Sequence, residues 1–284
     1  MMTIAFTTFK EALRKKMLYL IGALSIIYIL LFTLITRIYA NDVNRGGMIN
    51  VEQINNIASQ LISITGFYFS SMLVALLTIM SSIGSISSEI ENGTIHSIIS
   101  KPIKRYEYIL GKYIGLGIIS TAYATLLFVL VIIIPKINGM PVSNLMDMPS
   151  IVKGWALFIL EPLTILSLSI FGSSIFRTLT NGIMVVAIYI LGLIGSMMEQ
   201  IGSMIGNDNL YEFGIFSSLI SPFDLIYRKM ISLVFSDAVI TNPMSGGFNA
   251  GATSPSIWMM VYIGVYLVGL LVWAVKRFRK RDIS

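Results

Sequence analysis

The chain has 284 residues, 55% hydrophobic and only 12% charged, with a net charge of +6 and a mean hydropathy of +0.82. Soluble domains carry about 25% charged residues, so this much apolar surface needs a bilayer, and both a water-soluble fold and a disordered chain are excluded. The absence of cysteine and the single histidine, His96, exclude disulfides, thiol nucleophiles and multi-histidine metal sites.

Residues 3–16 open the chain as a candidate interfacial helix. Ala5, Phe9, Leu13 and Met17 recur every fourth residue as an apolar stripe, while Lys10, Glu11, Arg14 and Lys15 face away. Its partner would be the lipid headgroup layer. A helix needs about 20 apolar residues to cross the hydrocarbon core. Six charge-poor windows meet that length, at about 17–38, 61–84, 113–135, 154–176, 182–201 and 257–275. The first lacks a small-residue cleavage site and is expected to stay as a span rather than leave as a signal peptide. Runs such as Leu126-Leu127-Phe128-Val129-Leu130-Val131 do not alternate, so barrel strands are excluded. The expected fold is an all-α integral membrane protein, with one transmembrane domain over residues 1–284.

Six spans place both termini on one side. With that side inside, most of the 20 basic residues fall there, in the clusters Lys10 to Lys16, Lys101 to Lys112 and Lys276 to Arg281. The acidic residues Asp42, Glu52, Asp147, Glu199, Asp208, Glu212, Asp224 and Asp237 fall outside. The positive-inside rule accounts for the basic surplus without nucleic acid.

The cytoplasmic connection 87–108 between the second and third spans is the most informative stretch. Asn92-Gly93 is expected to end the helix leaving the second span. Thr94 then caps a short helix with Ile95, Ile98 and Ile99 on one face, and Pro102 ends it. Such a helix suits docking of a soluble partner, or packing on the membrane; composition does not separate the two. Beyond the fifth span, residues 202–256 form an external segment. It is helical at first, broken at Ser221-Pro222-Phe223-Asp224, helical again from Leu225 to Phe235, then rich in Gly, Ser, Asn and Pro.

One ionisable residue falls well inside a span. Glu161, followed by Pro162, lies about 12 Å past Lys153 along a helix. An intramembrane carboxyl is a functional candidate, and Pro162 frees a backbone carbonyl beside it; the competing reading is an acid packed between helices. The pair is a candidate for the translocation path. The 17 methionines are dispersed through spans and loops, as core filler rather than a copper(I) site. Gly111-x-x-x-Gly115 and Gly202-x-x-x-Gly206 permit close helix contact.

The stretch from Glu89 to Lys112 resembles the signature of ABC type 2 exporter permeases. The matching residues are Glu89, Glu91, Gly93, Thr94, Ile98, Ile99, Lys101, Pro102, Arg105, Leu110, Gly111 and Lys112. The run Ser221 to Arg228, with Pro222, Asp224, Tyr227 and Arg228, resembles the permease branch associated with multicopper enzyme and nitrous-oxide reductase maturation. The basic tail Arg277 to Asp282 does so too. The resemblance implies a permease subunit of an ATP-binding cassette exporter in a cell membrane, bacterial by its family, forming a dimer with a second permease copy. A separate ATP-binding cassette ATPase subunit would carry ATP and Mg, with the residues around Gly93 to Ser100 as the coupling element. The chain itself holds no Gly-x-x-x-x-Gly-Lys-[Ser/Thr] phosphate loop, so no cofactor is expected in it and it is not the ATPase. A membrane enzyme finds no His-Glu-x-x-His motif here. A secondary transporter or an assembly factor without an ATPase is the alternative.

Overall fold

The computed structural model describes residues 1–44, 52–94, 104–140, 148–235 and 256–280. Ten helices are found among them and no strand: α1 (Met2–Leu13), α2 (Lys16–Asn44), α3 (Glu52–Ser82), α4 (Ser87–Glu91), α5 (Arg105–Ile137), α6 (Met148–Ile175), α7 (Thr178–Ile205), α8 (Asp208–Ile220), α9 (Phe223–Val234) and α10 (Ile257–Lys280). Six of these, α2, α3, α5, α6, α7 and α10, are long and apolar enough to cross a membrane. Helices α2, α5 and α7 overrun their windows at both ends, because the hydrocarbon limits the apolar length but not the helix; α3 and α6 begin earlier but stop at Ser82 and Ile175, and α10 begins with its window at Ile257. The protein is an all-α, multi-pass membrane protein.

Helices α3 and α6 form the interior: 67% of the apolar window in each is buried, against 17% in α2 and α10, which lie at the outside of the bundle. The reason lies in side-chain size. In lipid no hydrophobic force draws helices together, so close packing and interhelical hydrogen bonds must do it. Helix α6 buries Gly154, Thr164, Ser167, Ser169, Gly172, Ser173 and Ser174. Ser82 Oγ donates to Ser169 Oγ at 2.8 Å, and the backbone N–H groups of Ile86 and Ser87 donate to Ser173 Oγ at 3.1 and 2.9 Å. Toward the other end, Phe67, Phe128 and Phe158 pack together with ring centroids 5.2 to 6.2 Å apart.

Helix α1 lies in a groove of α5 floored by glycine. A Cβ at Gly115 would sit 2.6 Å from the Ala5 carbonyl oxygen, and one at Gly111 would sit 2.9 Å from Ile4 Cβ. Such a groove admits small side chains only. The buried face of α1 is therefore Ala5, Thr8 and Ala12, and of the apolar stripe read from the sequence only Ala5 belongs to it. Leu13 and Met17 are exposed, together with Met2 and Phe6.

The segment after α7 turns back into the bundle. Helix α8 runs antiparallel along α7, with Tyr211 at Gly202, Gly214 at Glu199, Ser217 at Gly195 and Ser221 at Gly192. Gly206, at φ +72°, makes the reversal. Gly192 is near the middle of α7, so the Ser221-Pro222 turn sits deep in the bundle, and α9 returns along α6 until Val234 reaches Gly154. The break expected at Ser221 to Asp224 is present, and the helix resumes at Phe223. A turn at this depth leaves carbonyls without water to bond. The hydroxyl of Tyr262 donates to the Leu219 carbonyl at 2.5 Å and that of Tyr266 to the Ile220 carbonyl at 3.0 Å, so α10 satisfies the end of α8.

Candidate functional site

The expected coupling residues converge where α1, α4, α5, α7 and α10 meet. Glu89, on α4, accepts from the Tyr108 hydroxyl and pairs with the Lys112 ammonium, both on α5. Lys112 is buried and also lies 3.4 Å from Glu11 of α1. Residues of three helices, distant in sequence, therefore close into one charge network, because a buried ammonium needs carboxylates around it. Beside it, Lys15 donates to the Ser81 carbonyl at 3.2 Å. Burial holds its ammonium below the usual lysine range, against the opposing pull of Glu11.

Glu91 accepts from the backbone N–H and hydroxyl of Thr178 at 2.8 and 3.0 Å. A carboxylate there complements the positive end of the α7 dipole. Gly93 has φ +69° and open space around its Cβ position, so backbone conformation selects glycine at this turn. Thr94 Oγ1 donates back to the Glu89 carbonyl at 3.2 Å. At the far end of the connection, Arg105 Nη1 donates to the carbonyls of Phe278 and Arg279 at 3.1 and 2.9 Å, capping α10, while Tyr108 stacks on Phe278. Ile98, Ile99, Lys101 and Pro102, with His96, lie outside the described residues.

The second group of expected residues gathers in the bundle interior. Glu161 is buried on α6, and Ser71 of α3 donates to its Oε1 at 2.6 Å. Helix α6 runs on through Pro162, which is buried too. Pro222 stands at the start of α9, and Tyr227 donates to the Ile64 carbonyl of α3 at 3.0 Å. Arg228 forks onto Glu199 of α7, with Nη1 and Nη2 each 2.9 Å from a carboxylate oxygen, while its Nε lies 2.8 Å from Asp224 Oδ2. Glu161 has buried ionisable company: Lys112 and Glu199 on α5 and α7, and Asp224 and Arg228, carried inward by the re-entrant helix. Glu199 marks the end of a window by charge, whereas α7 continues to Ile205.

Among the described residues, no cluster of three or more His, Asp or Glu fits a metal ion. The arrangement is that of clamps on the residues flanking 95–103 at one end of the bundle and a buried ion cluster further in. A family model described as ABC-2 family transporter protein matches residues 2–283.

The chain belongs to the ABC-2 transporter family. No curated protein matches it. As an ABC-2 transporter protein it is a membrane subunit of transport, in a family whose members normally work with an ATP-binding cassette subunit. Sequence reasoning placed Glu89, Glu91 and Lys112 in the signature of this ABC-2 protein but missed their partners Tyr108, Thr178 and Glu11. Ser71 and Glu199 were likewise missed as the partners of Glu161 and Arg228.

Proposed function

We propose that this ABC-2 protein is the permease half of an ATP-driven exporter, with two such chains working against separate ATP-binding cassette subunits that hold ATP and Mg. The supporting observation is the clamping of both ends of residues 95–103: Glu89 and Glu91 tie the leading end to α5 and α7, and Arg105 ties the trailing end to α10. A push on that connection from a soluble subunit is delivered to several spans at once, because each clamp is a charge-assisted bond. The connection then lies at the cytoplasmic face of a bacterial plasma membrane, with both termini beside it. Glu161 and Pro162 flank the path, and the resemblance of Ser221 to Arg228 and of the basic tail favours the multicopper enzyme maturation branch.

Isolation from native membranes in mild detergent, with mass spectrometry of what co-purifies, tests the reading. A phosphate-loop ATPase is expected in stoichiometric amount, and Gly93→Val with Thr94→Leu is expected to release it. A chain that purifies alone from such membranes overturns the exporter reading in favour of a secondary transporter or an assembly factor.

A further inference from the structure

A small cavity of about 20 Å³, room for one water-sized occupant, opens between α3, α6, α7 and the turn of the re-entrant hairpin. Three buried polar atoms on its lining residues take no hydrogen bond among the described residues: Asp224 Oδ2, which is ion-paired with Arg228 Nε at 2.8 Å, and the pair Glu161 Oε2 and Ser221 Oγ. Glu161 is 2% exposed and Ser221 0%. An unsatisfied group at such depth costs several kilocalories per mole in an apolar medium, so the pair points to an occupant with polar chemistry.

The charges around the cavity say which sign. The surrounding acids are Glu161, Glu199 and Asp224, against the single guanidinium of Arg228, all buried. Arg228 commits its fork to Glu199 and its Nε to Asp224. Glu161 is left with a hydroxyl donor, Ser71, and no cation. The other titratable groups facing it are Tyr68 on α3, Tyr189 on α7 and Tyr227 on α9, none of which supplies positive charge. An isolated carboxylate inside a membrane is among the most unfavourable arrangements a side chain can adopt.

We propose that this cavity is a site for one exchangeable positive charge, a proton or a monovalent cation, received between Glu161 and Ser221. The occupant joins α6 to the turn between α8 and α9. When the site is empty, the Glu161 carboxylate faces the cavity without a cation, opposite an Asp224 carboxylate whose Arg228 is shared with Glu199, and like charges favour moving α9 away from α6. The hairpin is thereby made responsive to pH or to ions. This site is separate from the coupling residues, and its test needs no ATPase, so its failure and that of the exporter reading are distinguishable.

The purified chain in lipid nanodiscs is melted across a pH series in N-methylglucamine buffer, then at fixed pH and ionic strength with Na⁺ or K⁺ replacing N-methylglucamine. The expected result is a melting temperature that rises by several degrees on acidification or on adding one of the metal ions. Glu161→Gln, permanently neutral, is expected to lose that response, and Ser221→Ala to weaken it. Difference infrared spectroscopy separates the sources. A carboxylic-acid band that disappears on raising the pH, and is missing from Glu161→Gln, identifies a proton, whereas an ionised carboxylate perturbed by Na⁺ or K⁺ identifies a metal ion. No response to either in the wild type overturns the proposal, as does a response unchanged in Glu161→Gln. Should Glu161→Gln fail to fold, the wild type and Ser221→Ala decide: an acid band constant over the whole folded pH range and indifferent to both ions overturns the proposal.

Discussion

Arg228 shows what holds the re-entrant helix in place. Its side chain is 4% exposed, and it reaches Glu199 on α7 and Asp224 one turn back on its own helix. The guanidinium suits this because it is planar and presents donors in a fixed fork, which a lysine ammonium cannot reproduce. Removing it leaves two carboxylates in a place without water, which typically costs about 3–5 kcal/mol. Arg228→Met is therefore expected to lower the melting temperature markedly in detergent, with Arg228→Lys intermediate. Adding Glu199→Gln to Arg228→Met is expected to restore part of the loss, since one stranded charge is then gone. A double variant no more stable than Arg228→Met alone contradicts this account of the pair.

Among the elements, α1 is fixed by what α5 lacks. The groove over Gly111 and Gly115 exists because neither residue has a Cβ, and overfilling a tight contact costs about 1–3 kcal/mol. Gly115→Val is expected to lift α1 from the bundle. The chain has no cysteine, so Thr8→Cys, at a buried position, reports the event directly. It is expected to resist a thiol reagent in the parent and to react with it once Gly115→Val is added. Gly22→Ala is the control, because nothing lies within 4 Å of its Cβ position. The same contrast explains what could be read from the sequence. The six spans were legible because transfer of apolar residues into lipid is a local property, counted window by window. The break at Ser221-Pro222 was legible because proline constrains its own backbone. The face that α1 buries was not, because it depends on two glycines a hundred residues away. Nor was the return of α8 into the bundle. Its signal is the spacing of Gly192, Gly195, Glu199 and Gly202 on one face of α7, which composition reads only as a loose excess of small residues. The signature residues Glu89, Glu91 and Arg105 could be found by pattern, but their partners could not, since ion pairs between helices leave no local trace.

For the whole molecule, the arrangement of six spans makes the sidedness of every other feature follow from a single fact. The basic clusters at Lys10 to Lys16, Lys101 to Lys112 and Lys276 to Arg281 come together at one end of the bundle in the sequence reading. In the fold, Lys112 meets Glu11 and Arg105 meets the last turn of α10, which places α1, the start of α5 and the end of α10 side by side. Helix α8 begins at the opposite end, after α7 has crossed. Positive charge resists translocation, so the basic end is expected to face the cytoplasm. Two exposed positions test this in the cysteine-free background, Lys10→Cys on α1 and Asn209→Cys on α8. A membrane-impermeant maleimide applied to intact cells is expected to label Asn209→Cys and spare Lys10→Cys, and inside-out vesicles are expected to give the reverse. Labelling of both from one side would place α1 and the start of α8 together and refute the five crossings between them, because an odd number must end on the opposite side. A clean inversion would keep the fold but put the clamped connection outside the cell, where no ATPase subunit could reach it. The exporter reading stands on the first pattern alone, because only that pattern brings Glu89, Glu91 and Arg105 to the side where ATP is.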